Sequence, residues 1–296
     1  MREILSINGL SKSYRNVQAI KNLDLKIEEG QAYGLLGPNG SGKTTTLSIV
    51  TGIIKQNSGF FRWFEEEPYP AQRKKIGSLI ETPHFYPYLS LTNNLKIICD
   101  INLSPFSEIE RVLKVTKLYE RRKSKFSTLS LGMKQRLGIA ATLLGDPKVL
   151  VMDEPTNGLD PEGIAEVREL VMQQVENGKT LILASHILSE VEKICSHVAI
   201  LKKGELLASG PVKELLSEQE IIEVRCSDPD KLHEEIKDSG LVKELESENG
   251  TLILTLNDKV SIEEVNTFAF KHKIVLNHLL SRKKSLEDQF LELVKE

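Results

Sequence analysis

A run of glycine and hydroxyl residues that ends in a lysine is the first segment able to do chemistry. Residues 37–44 fit GxxxxGK[ST], with an apolar run at 32–36 before them and a helical pattern from Lys43 to about Thr51. Glycines let backbone N–H groups turn inward around a phosphate, and a helix N-terminus adds positive potential. Lys43 can reach the β- and γ-phosphates, and the Thr44 hydroxyl can ligate Mg²⁺. The predicted nucleotide-binding residues are Gly37, Pro38, Asn39, Gly40, Ser41, Gly42, Lys43, Thr44 and Thr45.

Two carboxylates follow a second apolar run further along the chain. Residues 149–152 are Val, Leu, Val and Met, and Asp153 and Glu154 come directly after them. Asp153 is predicted to hold Mg²⁺, directly or through water. Glu154 is predicted to lie near the γ-phosphate, where a base or a water-orienting group is needed. An acidic pair at a strand end is weak evidence on its own, but it becomes strong after a complete phosphate loop. We therefore predict Glu154 and Lys43 as catalytic residues.

The elements around these residues alternate between strand and helix. The short apolar runs at 149–152 and 181–184 are typical of central parallel strands buried on both faces. Residues 161–177 between them indicate a crossover helix, and 90–144 has helical periods broken by Pro105. Residues 4–8 and 23–28 alternate apolar and polar side chains, as half-buried strands do. This alternation predicts an α/β domain.

The pattern changes after Gly210-Pro211. Strands are predicted at 220–226, 241–245, 251–256 and 274–280, and helices at 229–239 and 261–272. The order βαββαβ, with a turn at Asn249-Gly250, predicts a ferredoxin-like α+β domain, and a final helix is expected at 285–294. Residues 216–296 carry 11 Lys+Arg and 18 Asp+Glu, against a net charge of only -3 for the whole chain. We therefore predict two domains, 1–215 and 216–296.

Composition excludes several classes of protein. Hydrophobic residues make up 40% and charged residues 27%, as in an ordinary globular protein. No apolar run approaches the ~18 residues of a spanning helix, and the N-terminus lacks a secretory signal. The three cysteines are scattered without a CxxC pair, which argues against zinc or redox chemistry. The small net charge gives no overall attraction to nucleic acid.

A further motif stands just before the acidic strand. Residues 128–136 read TLSLGMKQR, which resembles the LSGGQ signature of ABC-transporter ATPases. The order of the other segments also fits: Asn157-Gly158-Leu159-Asp160 is similar to the D-loop, and Ala184-Ser185-His186 is similar to the switch-histidine segment. The resemblance covers residues 1 to about 215, and it implies a P-loop NTPase fold of ABC type, with a mixed sheet and a helical subdomain at about 88–145.

The resemblance implies a division of labour between two chains. Tyr14 would stack on adenine, His186 would contact the γ-phosphate as a catalytic residue, and Asp160 would belong to the D-loop. The signature residues Ser130, Leu131, Gly132 and Met133 would act in trans, on ATP held by a second copy. The resemblance implies a head-to-tail homodimer that encloses two ATP molecules with Mg²⁺. It also implies that this homodimer works with a separate multi-helix permease and does not bind nucleic acid.

Two departures from the family pattern narrow the group of ABC ATPases that the sequence resembles. Leu131 and Met133 replace a glycine and a glutamine, and Glu81 occupies the usual Q-loop glutamine position. A carboxylate can ligate Mg²⁺, so Glu81 joins Thr44 and Asp153 as a predicted metal ligand. These features and the C-terminal domain resemble the ATPase subunits of bacitracin and lantibiotic exporters. That group implies drug or peptide-antibiotic export and antibiotic resistance, with the subunit peripheral at the cytoplasmic face of the membrane through its permease.

Other interpretations stay open. The chain could energise an importer, or it could be a soluble ABC ATPase acting on nucleic acid. The second class would require a long coiled coil, tandem ATPase domains or zinc cysteines, none of which the sequence contains. Tyr14 could be a strand-end aromatic and His186 a core histidine. The Phe85-Tyr86-Pro87-Tyr88 segment is interpreted as a permease interface, with core packing as its alternative.

Overall fold

The computed structural model divides into two compact units, Met1–Val212 and Lys213–Glu296. This division lies three residues before the predicted boundary at 215. The structure describes residues 2–66, 70–215, 220–248, 250–257, 260–283, 286 and 288–290. Each unit is built around its own apolar core.

The first unit contains nine strands and six helices among its described residues, and α7 follows at its boundary. The strands are β1 (Glu3–Tyr14), β2 (Val17–Glu28), β3 (Ala32–Leu36), β4 (Ser58–Trp63), β5 (Ile76–Leu79), β6 (Val149–Asp153), β7 (Thr180–Ala184), β8 (His197–Lys202) and β9 (Glu205–Pro211). The helices are α1 (Lys43–Val50), α2 (Leu91–Asn102), α3 (Glu108–Val115), α4 (Leu131–Thr142), α5 (Pro161–Glu176), α6 (Leu188–Ile194) and α7 (Val212–Leu215). Short 3-10 turns lie at Pro70–Lys75, Tyr119–Arg121 and Phe126–Thr128.

A six-stranded sheet forms the centre of this unit, in the order β5-β6-β7-β3-β8-β9. Strands β5 to β8 pair in parallel, and β9 pairs antiparallel with β8 across the Lys203-Gly204 turn. Every residue of β3, β6 and β7 is buried, because helices cover both faces of a parallel sheet. The predicted α/β class with a mixed sheet and buried parallel strands is confirmed.

A second sheet of three antiparallel strands, β2-β1-β4, shares the core of the first unit. Its alternating strands bury one face, which includes Leu23, Ile27 and Trp63. The indole Nε1 of Trp63 donates to the carbonyl oxygen of Val50 at 2.7 Å. This bond ties β4 to the last residue of α1, the helix that follows the phosphate loop.

Helices α2, α3 and α4 form the predicted helical segment between the acidic strand and the first strands. Serines begin two of them: the Ser90 hydroxyl accepts from the amide of Asn93, and the Ser130 hydroxyl accepts from the amide of Met133. Such caps satisfy N–H groups that have no partner inside the helix. Helix α2 ends where Leu103 takes a left-handed conformation with φ 57°.

The second unit has the order β-α-β-β-α-β that its sequence pattern predicts. Its elements are β10 (Glu220–Cys226), α8 (Pro229–Lys237), β11 (Val242–Glu248), β12 (Thr251–Leu256), α9 (Ile262–Lys271) and β13 (Leu276–Lys283). The antiparallel sheet has the order β11-β12-β10-β13, and residues such as Val224, Leu232 and Val265 form its core. Asn249, in the predicted turn, lies outside the described residues, and so does most of the helix predicted at 285–294. The described residues of that predicted helix, 286 and 288–290, are helical.

Within the described part of the chain, no helix combines the length and the apolar character needed to cross a membrane.

Candidate active site

The carboxyl ends of four neighbouring parallel strands place the predicted residues at one edge of the sheet. The Gly37 loop follows β3 and His186 follows β7. Asp153 is the last residue of β6, Glu154 comes directly after it, and Glu81 follows β5. Ligands bind at this edge in open α/β sheets, because strand ends and helix N-termini meet there. Segments that are far apart in the sequence thus come together through the order of the strands.

Glycine is required at the start of α1. Gly42 has φ 109°, and a Cβ added there would lie 2.6 Å from the carbonyl oxygen of Ala19. The same is true at Gly37, where a Cβ would lie 2.3 Å from the carbonyl oxygen of Leu201. Backbone atoms of neighbouring segments therefore pack closely against the loop at Gly37 and Gly42. At Gly40, by contrast, an added Cβ would meet nothing within 4 Å.

Lys43 is nearly buried and turns back into its own loop. Its Nζ donates to the carbonyl oxygens of Gly37 at 2.7 Å and of Pro38 at 3.3 Å. Burial lowers the pKa of the Lys43 ammonium, and the carboxylates of Glu154 and Asp153 oppose that shift. The ammonium is thus held by weak neutral acceptors that phosphate oxygens can replace with a charged contact.

At this edge, the Ser41 Oγ and the Asp153 Oδ1 are buried with no hydrogen-bond partner among the residues that the structure describes. Asp153 is 3% exposed and hydrogen-bonds to the Thr44 side chain. Its pKa is raised mainly by burial, and the negative charges of Glu154 and Glu81 add to the shift. Buried polar atoms are normally satisfied, so an orphan acceptor beside two further carboxylates is suited to a cation.

Glu154 and His186 contact each other directly. The Oε2 of Glu154 lies 2.8 Å from the His186 Nδ1 and accepts from the His186 backbone amide at 3.4 Å. Glu154 has φ 48°, and its own amide donates to the carbonyl oxygen of Ala184 at 2.9 Å. A left-handed backbone is costly for a non-glycine residue and is concentrated at functional sites. Sequence reasoning named both residues but missed their contact, which no local pattern contains.

Tyr14 lies at the end of β1, in the three-stranded sheet. Its side chain is 45% exposed, and the Lys12 ammonium lies 5.2 Å from the ring centroid. Glu81 follows β5 in a left-handed conformation with φ 59°. Both side chains are exposed.

The signature and D-loop residues lie at the starts of two other helices. Ser130 caps α4, Leu131 is 48% exposed, and Gly132 and Met133 follow in the first turn. Asp160 caps α5 by accepting from the Gly163 amide at 2.9 Å. No hydrogen bond between described residues joins Ser130 or Gly132 to the Gly37 loop. The structure thus brings the loop and the acidic strand together without the signature.

Contacts between α4 and α5 were also absent from the sequence reasoning. Leu131 packs on Gly158, and the Arg136 Nη2 lies 3.6 Å from the Glu166 Oε2. The only signal available in the sequence was the unusual leucine at position 131, which marked the position but not its neighbour.

The fold and this edge define a nucleotide-binding ATPase with a phosphate loop. Residues 20–157 match the ABC transporter family. The chain is also 36% identical to an uncharacterised ABC transporter ATP-binding protein, YdbJ of Bacillus subtilis, over 98% of this chain and 94% of that one. The chain belongs to the ATP-binding subunits of ABC transporters, and it binds and hydrolyses ATP.

Two relatives carry more informative names. The bacitracin transport ATP-binding protein BcrA of Bacillus licheniformis is 34% identical over 99% of this chain and 98% of its own. The lantibiotic transport ATP-binding protein SrtF of Streptococcus pyogenes is 38% identical over 75% of this chain and all of its own. Among solved structures, cbiO1 of Clostridium perfringens, part of the cbiONQ ABC transporter complex, superposes with a TM-score of 0.66. It has 29% identity and covers 74% of this chain and 92% of its own.

Proposed function

We propose that this chain is the ATPase subunit of an exporter for a drug or peptide antibiotic, working with a separate membrane permease. The observation that carries the catalytic part is the Glu154–His186 contact beside Asp153 and the Lys43 loop. The export and substrate class are supported by identity to BcrA over nearly the full length of both chains and by identity to SrtF.

Catalysis is assigned to three side chains. Glu154 orients or activates the attacking water, and His186 holds Glu154 on one side while it contacts the γ-phosphate on the other. Lys43 leaves the Gly37 and Pro38 carbonyls and neutralises charge on the phosphates. Adenine stacks on the exposed ring of Tyr14, and the loop amides from Gly37 to Thr45 surround the phosphates.

Mg²⁺ is proposed as the metal. Asp153, through its partnerless Oδ1, and the Thr44 hydroxyl would hold it, with Glu81 near enough to influence it electrostatically. No group of three His, Cys, Asp or Glu side chains able to hold a metal occurs in the described ranges. Mg²⁺ tolerates so few protein ligands because it keeps several waters and takes phosphate oxygens. When bound, it would neutralise charge on the β- and γ-phosphates.

A second copy completes the site in this proposal. Ser130 and the Gly132 backbone, at the positive N-terminus of α4, would bind the γ-phosphate held by the partner's loop. Leu131, Met133 and the Asp160 segment lie at the same helix starts and would belong to that interface. Two copies related by a two-fold axis then enclose two ATP molecules.

The permease would dock beside the helical segment. A cleft of about 860 Å³ lies between the end of α1, β5 and α2, lined by residues such as Phe61, Ile98 and Leu103. Two of the residues that line it, Ile101 and Leu103, are exposed large apolar side chains. Phe106, Tyr86 and Tyr88 are exposed as well, within the same stretch of the sequence. Exposed apolar side chains that form a patch are typical of protein interfaces. Docking there would place the chain at the cytoplasmic face of the membrane.

The proposal is tested in vesicles that contain the chain and its membrane partner. ATP and either bacitracin or a lantibiotic are supplied on the side that carries the ATPase. Export predicts that the antibiotic leaves that compartment when ATP is hydrolysed, and that the matched Glu154→Gln variant abolishes the movement. Movement toward the ATPase would identify an importer. ATPase activity with no membrane partner and no movement would identify a soluble enzyme.

A further inference from the structure

Leu131 has a role inside its own chain that the signature motif does not require. It is a large apolar side chain at the first position of α4, and 48% of it is exposed. A Cβ added at Gly158 would lie 3.3 Å from the Leu131 Cδ2. Leu131 therefore covers the backbone of Gly158, which precedes the Asp160 cap of α5.

The packing is reciprocal. The Leu159 Cδ2 would lie 4.0 Å from a Cβ added at Gly132, so each segment places a leucine over a glycine of the other. Gly158 has φ 74°, a conformation that favours glycine and makes this turn sensitive to its neighbours. The start of α4 and the turn before α5 are thus fitted together by two leucine–glycine contacts.

A polar contact follows on the same two helices. The Arg136 Nη2 lies 3.6 Å from the Glu166 Oε2, and the Arg136 side chain is 14% exposed. Arg136 is one turn beyond Gly132 on α4, and Glu166 lies in the second turn of α5. A cleft of about 750 Å³ beside this pair is lined by residues of α5, by Arg136 of α4 and by residues 115–117. The two helices are thus joined at their starts by the leucine contacts and one turn further on by this pair.

We propose that Leu131 is a positioning residue that holds the turn at Gly158 against the signature, so that both segments meet a second copy as one surface. Its energetic basis is apolar burial and close packing, which are lost when the side chain is shortened. The contact with Gly158 belongs to the isolated, nucleotide-free chain and is tested there first. Its consequence for a second copy rests on the proposed head-to-tail dimer and is tested by the second readout.

Hydrogen exchange at the amides of residues 157–160 tests the contact directly. Leu131→Ala is expected to speed exchange there roughly tenfold, while Leu131→Met, which can still cover Gly158, stays near wild type. The matched control is Leu280→Ala, because Leu280 is 46% exposed and lies in the second unit. Unchanged exchange in Leu131→Ala would overturn the proposal.

The second readout is ATP-driven dimerisation in a Glu154→Gln background. Leu131→Ala is expected to leave ATP binding by the monomer unchanged and to raise the concentration needed for the dimer roughly threefold to tenfold. If the Glu154→Gln chain never forms a dimer, the proposed function fails, whereas the exchange result still decides the role of Leu131. A dimer that forms at the same concentration with and without Leu131→Ala in the Glu154→Gln background would contradict the proposed effect of Leu131 on dimerisation.

A double variant separates this role from a direct contact with the partner's nucleotide. Gly158→Ala adds a Cβ against Leu131, so it should weaken dimerisation. Adding Leu131→Ala should partly restore dimerisation, because it removes the side chain that the new Cβ meets. Additive effects would mean that the two residues act separately. A changed preference between ATP and 2′-deoxy-ATP, with normal exchange at 157–160, would assign Leu131 to the nucleotide and overturn the positioning role.

Discussion

The phosphate-loop edge of the first unit and the Arg282 cluster of the second unit pair their polar groups in opposite ways. In the first unit, the Ser41 Oγ and the Asp153 Oδ1 are buried beside the phosphate loop with no hydrogen-bond partner among the described residues. In the second unit, Arg282 donates to Glu223 at 2.6 Å and to Asp288 at 2.6 Å. The pKa of Arg282 is raised, chiefly by its hydrogen bond to Asp288. The phosphate-loop edge thus keeps free bonding capacity, whereas the Arg282 cluster pairs its charges inside the chain.

This difference has a physical reason. An unsatisfied buried group lowers stability, and a fold retains it where a ligand satisfies it. A charge that is fully paired inside the chain has no bonding capacity left for a ligand. Substitutions in the first unit should therefore change activity more than stability, and substitutions of the Arg282 cluster should do the reverse.

Glu154→Gln should give the largest effect. Glutamine keeps the shape but loses the negative charge that orients or activates water, so ATP hydrolysis should fall by about 10²–10⁴-fold while ATP still binds. Phosphate release and nucleotide binding, measured on the same preparation, check both expectations. Turnover near that of the wild type in the assembled transporter would remove Glu154 from the mechanism.

Lys43→Ala should weaken ATP binding itself. In the proposed function its ammonium contacts phosphate in the ground state and the transition state alike, so a loss of roughly 10- to 100-fold in affinity is expected. The melting temperature should change little, because burial already disfavours the Lys43 charge in the fold. Titration with ATP, followed by the fluorescence of Trp63, the one tryptophan of the chain, measures the affinity. Unchanged affinity would contradict the assignment.

Arg282→Met tests the second unit. It leaves the Glu223 and Asp288 carboxylates without Arg282. The free energy of unfolding of the second unit should fall by about 1 kcal/mol, a value kept small because the Arg282 side chain is 31% exposed and solvent screens its charge. Hydrogen exchange in β10 and β13 should speed up, while the ATPase rate stays unchanged. The control is Lys271→Met, at an exposed cation that ends α9. A fall in ATPase activity specific to Arg282→Met would erase the distinction between the two units.

Glu81→Gln should give the smallest effect. If Glu81 contributes charge at the metal site, the magnesium concentration for half-maximal ATPase activity should shift by about threefold, with ATP affinity nearly constant. A magnesium titration of the ATPase rate measures this shift. Identical titration curves would leave Glu81 as a hinge or interface residue.

Sequence patterns predicted the local parts of the fold but not the long-range ones. The phosphate loop, β6 and β7 follow from contiguous residues, since a buried parallel strand is apolar throughout. Strands β4 and β5 and the β8–β9 hairpin were not predicted. The Lys203-Gly204 turn, with φ 50° and 85°, was a signal for that hairpin.

The site shows the same limit. Residue types predicted roles for Lys43, Asp153 and Glu154 because the chemistry proposed for them is local to each motif. The contact between Glu154 and His186 depends on β6 and β7 being neighbours, and the packing of Leu131 on Gly158 depends on the approach of two helices. Neither relation is encoded in a spacing along the chain.

The central claim is that two copies complete each ATP site through Ser130. Light scattering of the Glu154→Gln chain, with and without ATP and Mg²⁺, tests it most directly. The account predicts a monomer without nucleotide, a doubled mass with ATP and Mg²⁺, and a monomer that still binds ATP once Ser130→Arg is added. A dimer that forms without nucleotide, or that survives Ser130→Arg, would show that another surface joins the chains and would contradict the account.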